Sequence, residues 1–99
     1  MTRADVIDRL KAVEAQFREQ GIAALYLYGS YARDEAEPTS DLDVFVDPAN
    51  EEGFGLTPLM TTLAVLEQSF PGVGIGYGTR ENIVPAYRPH IERSALRIF

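Results

Sequence analysis

Two aspartates one residue apart, Asp41 and Asp43, follow the pair Gly29-Ser30 after ten intervening residues. Leu42, Val44 and Val46 alternate with Asp41, Asp43, Phe45 and Asp47, the period-two pattern of a strand, so Asp41 and Asp43 project from one face. Their Cα atoms then lie roughly 6–7 Å apart. Two carboxylates at that separation can hold one or two Mg²⁺ ions, because Mg²⁺ takes a few carboxylates plus substrate phosphate oxygens in preference to a closed protein cage. Gly29-Ser30 stands where an apolar run hands over to a helix. A glycine there lets a phosphate approach the backbone closely, the following N–H groups point at the anion, and Ser30 can add its hydroxyl. Arg33, about one helical turn on, can reach a phosphate or pin the turn. Taken singly, each feature has a plain reading: Asp-x-Asp as solvated decoration, Asp41 as a turn residue after Ser40, Gly-Ser as a turn. In combination, at this spacing, they point to a site for a magnesium-bound nucleoside triphosphate.

The elements that must position these groups follow from patterning. Thr2 can cap a first helix with Asp5 three residues later, as in a capping box. Val6, Leu10, Val13 and Phe17 form one apolar stripe, and Gly21 ends the helix. The run Ile22 to Tyr28 suits a strand covered on both faces. Tyr31 to Ala36 reads as a short helix, and Pro38-Thr39-Ser40 as the turn into the Asp-bearing strand. Thr57-Pro58 has the order of a cap followed by proline at the first helical position, with Leu59, Leu63, Leu66 and Phe70 facing inward. Val73, Ile75 and Tyr77 alternate with Gly74, Gly76 and Gly78, a third strand with one face bare of side chains. Pro89 opens a last short helix through Ala95, and Leu96, Ile98 and Phe99 close as a strand. The order of elements argues for an α/β (α+β) chain, a small mixed sheet backed by helices, within one domain spanning residues 1–99.

Composition narrows the function classes. With 45% hydrophobic and 24% charged residues, the chain has the balance of a globular protein. It contains no Cys, which removes disulfides, thiol nucleophiles and thiolate metal sites. A net charge of −6 argues against direct binding to a nucleic-acid backbone. It leaves room for a nucleotide whose metal reverses the local charge, and for a basic protein partner. Neither a signal peptide nor a membrane span is legible, so the expected location is the cytoplasm. Exposed strand edges permit a homo- or hetero-oligomer.

GSYARDEAEPTSDLDVFVD resembles the signature of the DNA polymerase β-like nucleotidyltransferase superfamily. More narrowly, the chain is similar to the minimal nucleotidyltransferases (MNT), the antitoxin half of HEPN–MNT toxin–antitoxin pairs. The similarity spans nearly the whole chain, from the leading helix through YGSYAR and the DLD strand to the closing PAYRPHIERSALRIF. It implies that Gly29 and Ser30 hold the β- and γ-phosphates of ATP and that Asp41 and Asp43 ligate Mg²⁺. The implied reaction is attack of a hydroxyl on the α-phosphorus, transferring AMP and releasing pyrophosphate. The implied acceptor is a tyrosine of a HEPN toxin, a ribonuclease. The alternative is a catalytically degenerate antitoxin that neutralises its toxin by masking it.

One departure bears on that choice. Members of the superfamily present a third carboxylate from a later strand, and the matching position here is Gly76, with Gly74 the nearest other candidate. Asp47 lies roughly 13 Å along the strand from Asp43, and Glu81 would have to fold back to substitute. The bare face can instead leave space for the base or for a partner's inserted residue, or simply accept a closely packed backbone. The remaining polar residues read as structural: His90 as a surface or capping group, and Arg80, Arg88, Arg93 and Arg97 as solvated charges. Of Tyr26 and Tyr28 at least one is expected in the core, and Tyr31 or Tyr77 could stack on adenine.

Overall fold

A computed structural model describes residues 1–99. Thr2 and Asp5 form the expected capping box: the Asp5 amide donates to the Thr2 hydroxyl at 3.1 Å and the Thr2 amide donates to the Asp5 carboxylate at 3.1 Å. Helix α1 runs over Arg3–Ala12, and α2 over Glu14–Glu19. The expected single helix is therefore two, broken at Val13 (φ −97°, ψ 4°). The apolar stripe survives the break, because Val6, Leu10, Val13 and Phe17 are all buried.

Strand β1 spans Ile22–Tyr28 and leads into a single-turn helix, α3, at Gly29–Ala32, shorter than the sequence suggests. Strand β2 covers Leu42–Pro48, helix α4 Leu56–Ser69, strand β3 Ile75–Thr79, helix α5 Arg88–Ser94 and strand β4 Leu96–Arg97, with a 3₁₀ turn at Arg80–Asn82. Helix α4 begins one residue before the expected cap: Gly55 takes the N-cap position without a side-chain bond, and Thr57 is inside the helix. Pro58 is accommodated because amides of the first turn have no intrahelical partner.

The sheet order is β3-β2-β1-β4. Strand β1 lies antiparallel to both β2 and β4, while β2 and β3 are parallel and joined through α4. Leu25, Leu27, Val44 and Val46 point to one face, where they join Leu10, Phe17, Leu66 and Phe70 in the core. The second face is only partly covered: β1 alternates between buried and half-buried residues, so it is not enclosed on both sides. Tyr26 and Tyr28 both stand on that half-open face, and neither joins the core; Tyr26 stacks on Phe45 with ring centroids 4.8 Å apart.

Helix α5 is tied to this second face by Arg80. Its guanidinium donates to both carboxylate oxygens of Asp47, at 2.9 and 2.8 Å, and to Glu92 of α5 at 2.6 Å. It also lies 5.0 Å from the centres of the Tyr26 and Phe45 rings. Arg80 is thus a structural hub, not a solvated charge. The bidentate geometry needs a planar fork, so lysine could not replace it in kind.

Tyr77 faces the core, packed edge-on to Phe17, and its hydroxyl is 2.7 Å from that of Thr62, the single buried polar side chain. Tyr31 is also buried in the core. Neither is available to stack on a base. Burial pushes the Tyr77 phenol up to about 12 from its ordinary 10.0, the Thr62 hydrogen bond opposing that rise. The unfolded chain therefore releases this proton first as pH rises. The stability associated with neutral Tyr77 is full below pH 10 and is lost as pH climbs towards 12. Urea melts of Tyr77→Phe should show a shallower decline than the parent across that window. Equal slopes would mean that other groups govern alkaline unfolding.

Candidate functional site

The parallel pairing of β2 with β3 and the antiparallel pairing with β1 place Asp43 between two strands. Its register partners are Tyr28 on β1 and Gly76 on β3. Gly29, next after Tyr28, adopts φ +74°, a left-handed conformation that glycine takes without the Cβ clash. A Cβ built there would run into Asp43 Oδ2, and one built at Gly76 would lie 2.6 Å from Asp43 Oδ1. The two carboxylate oxygens of Asp43 thus face opposite ways, one towards the turn after β1 and one towards β3. Asp41 precedes β2, and its Oδ1 occupies the space a Cβ at Gly74 would take. The Leu42 amide donates to the Gly74 carbonyl at 2.8 Å, which fixes this approach of β2 to β3.

Of the five residues expected at the site, Gly29 and Asp43 meet closely, and Asp41 lies near enough for its charge to act on Asp43. Ser30 is the next residue in the α3 turn, and its carbonyl accepts from the Glu35 amide at 2.9 Å. The first turn of α3 carries amides with no intrahelical acceptor, the feature that suits a phosphate oxygen. Arg33 pairs loosely with Glu35 at 3.3 Å. Its charge also reaches Asp43, so it borders the site with its side chain half in solvent.

The electrostatics describe a site short of positive charge. Loss of hydration, then the neighbouring Asp41 charge, raises the Asp43 carboxyl above its ordinary range, with Arg33 pulling the other way. Burial, then Asp43, raises the Tyr28 phenol in turn. Two hard-oxygen donors that repel one another across one small space fit a divalent cation of the Mg²⁺ type, which would complete its shell from phosphate oxygens and water.

No third acid joins them. No group of three His, Cys, Asp or Glu side chains is placed to hold a metal ion. Asp47 is committed to Arg80. Glu81 sits exposed in the 3₁₀ turn, 3.9 Å from Arg88, and does not fold back. The sequence reading missed Arg80; the signal available was its position directly after β3, level with Asp47 across the strand pair.

Gly29→Ala should be costly twice over, through its left-handed φ and through collision with Asp43. Backbone strain of about 1–2 kcal/mol is expected, with Mg–ATP affinity falling roughly tenfold or more. Calorimetric titration with a nucleotide, beside thermal melts, checks both. Unchanged affinity would remove Gly29 from the nucleotide site.

The nucleotidyltransferase domain family matches residues 10–92 of the chain. A solved structure assigned as a minimal nucleotidyltransferase superposes with a TM-score of 0.81 at 29% sequence identity, covering 97% of this chain and 95% of that one. No curated protein matches. No helix is long and apolar enough to cross a membrane. With most of its length inside the family match and a like-sized solved structure overlaying nearly all of it, this chain belongs to the nucleotidyltransferase domain family.

Proposed function

We propose that this chain transfers AMP from Mg–ATP to a tyrosine hydroxyl of a cognate HEPN ribonuclease toxin and neutralises the toxin by that modification. The observation that supports it most is the placement of Asp43, with one carboxylate oxygen towards the left-handed Gly29 turn and the other towards β3. A nucleotidyl transfer needs the leaving pyrophosphate on one side of the α-phosphorus and the nucleophile on the other. Gly29 and Ser30 hold the β- and γ-phosphates through backbone amides and a hydroxyl, Arg33 adds a positive charge, and Asp41 and Asp43 hold the metal. A Mg²⁺ ion held by Asp41 and Asp43 would supply positive charge to offset the triphosphate and the leaving group.

In this reaction the phenolic oxygen forms a bond to the α-phosphorus. The bond from that phosphorus to the oxygen bridging to the β-phosphate breaks, and its electron pair leaves with pyrophosphate. The phenolic proton goes to water. A phenol has an ordinary pKa of about 10, far below that of an aliphatic hydroxyl, so it asks little of a general base. That suits a site with glycine where a third carboxylate would stand.

The same glycines favour a second reading, a nucleotide-binding antitoxin that masks its toxin without chemistry. Intact-mass measurement of the toxin after incubation with this protein, ATP and Mg²⁺ separates the two. AMP-sized additions that vanish in Asp41→Asn establish transfer. Neutralisation that persists with no added mass, and survives loss of both aspartates, establishes masking.

A further inference from the structure

Beside Asp43, over the second sheet face, lies a cavity of about 280 Å³. Gly76 and Gly78 form its floor, and Tyr28, Phe45, Ile83 and Ile91 wall it. No Asp, Glu, Lys, Arg or His lines it; the lining residues with polar groups are Tyr28, Thr79, Asn82 and Tyr87. Building on the AMP-transfer reading above, we propose that this cavity is the acceptor subsite, and that it takes the planar aromatic side chain of a phenol presented by a partner protein.

Direction is the first ground. The phosphate-binding turn lies on the β1 side of Asp43, facing Oδ2, and the cavity lies on the β3 side, where Oδ1 points. In-line displacement puts the incoming oxygen opposite the leaving one. With pyrophosphate at Gly29-Ser30, the nucleophile enters over β3.

Chemistry is the second. A charge-free, mostly apolar wall rejects a phosphate or an ammonium group and accepts an aromatic ring with a polar tip. Val84 and Tyr87, which also line the cavity, are 57% and 64% exposed, so the apolar surface continues outward to meet residues flanking the acceptor. The Arg80–Glu92 pair holds α5, and with it Ile91, in place over the sheet. The wall is therefore formed before anything binds.

Space is the third. Neither Gly76 nor Gly78 has a positive φ, so the backbone does not demand glycine at either place. A Cβ at Gly78 would meet nothing closer than the Asn82 side chain at 3.3 Å. Glycine inside a strand weakens it. Gly76 also makes room for Asp43, whose Oδ1 would lie 2.6 Å from a Cβ there, whereas Gly78 answers no such demand and keeps the floor of the cavity open for a bulky acceptor.

The test is an NMR titration of the unmodified chain with N-acetyl-tyrosinamide, alone and with saturating Mg²⁺ and an α,β-methylene ATP analogue. The methyl signals of Ile83, Val84 and Ile91 should shift with the phenol. Its dissociation constant should stay within about twofold when the analogue is bound, and Gly78→Leu should raise it roughly tenfold while leaving analogue affinity within about twofold. Competition between phenol and analogue would overturn the proposal and give the cavity to the nucleobase, as would cavity methyls that move with the analogue alone. Absence of phenol-induced shifts at those methyls overturns it as well. Phenol bound in the cavity of a chain that transfers no AMP would uphold the subsite and sink the transfer reading instead.

Discussion

Asp43→Asn is expected to lower AMP transfer by at least about a hundredfold while leaving the metal-free protein at least as stable at pH 7. The two halves have one cause. Asp43 lies half-buried, feels the like charge of Asp41, and has the opposing charge of Arg33 as its only help. Its carboxyl is therefore raised above the ordinary 3.8, first by lost hydration and then by Asp41. A carboxyl whose folded value exceeds its unfolded value gives up its proton later in the folded state. The stability linked to it is full below the unfolded value and is lost as pH rises through the folded one. At neutral pH the ionised group is thus a burden on the fold, small because solvent screens a half-exposed site, and the amide removes it. Urea melts at neutral pH and below pH 3.8 should show the variant's advantage shrinking on acidification. A less stable variant at pH 7 would make Asp43 a structural residue; intact-mass data showing undiminished transfer would exclude it from the metal site.

Part of the candidate site's geometry was legible from sequence. Asp43 sits on β2 and Asp41 just before it, and unlike Asp47, which Arg80 holds, neither carboxylate has an arginine partner. Strand period alone puts them on one face, and the β2–β3 register sets Gly76, the position the family resemblance matched to a third carboxylate, opposite Asp43. Gly29 was singled out for the close backbone approach a glycine allows, and its left-handed φ of +74° shows only in the structure. What failed to read were features decided by tertiary contacts. The stripe from Val6 to Phe17 fits one helix or two equally well, since both present the same face, and the break at Val13 shows only in backbone angles. Thr57 carries a capping side chain, yet Gly55 caps α4, because the loop's path into the helix sets where it begins. Tyr77 alternates with glycines and could face either way in isolation; pairing with Val44 turns it into the core, against Thr62. Arg80 gained its role from Asp47 and Glu92, 33 and 12 residues away. Pattern reading sees period and turn chemistry, whereas partners distant in sequence need the assembled sheet.

Gly76→Asp should convert the two-acid site into a three-acid one. Mg²⁺ affinity is expected to rise roughly tenfold or more, and metal-free stability to fall, because a third like charge enters a space already short of positive charge. The new Cβ would lie 2.6 Å from Asp43 Oδ1, but that atom ends a rotatable side chain, so the carboxylate can swing aside without moving the backbone. Melting temperature with and without Mg²⁺ reads both effects, as a larger metal-dependent rise from a lower starting point. Transfer should change unequally among acceptors. An aliphatic hydroxyl, which holds its proton tightly, should gain most from a carboxylate able to accept it. A phenol should gain less, since it ionises near pH 10 unaided and since the added side chain takes part of the glycine floor. Equal gains for both acceptors would mean that proton removal is not what the missing acid supplied. A Mg²⁺ response no larger than the parent's would show that position 76 lies outside the metal's reach, and that the absent carboxylate cannot account for any shortfall in catalysis.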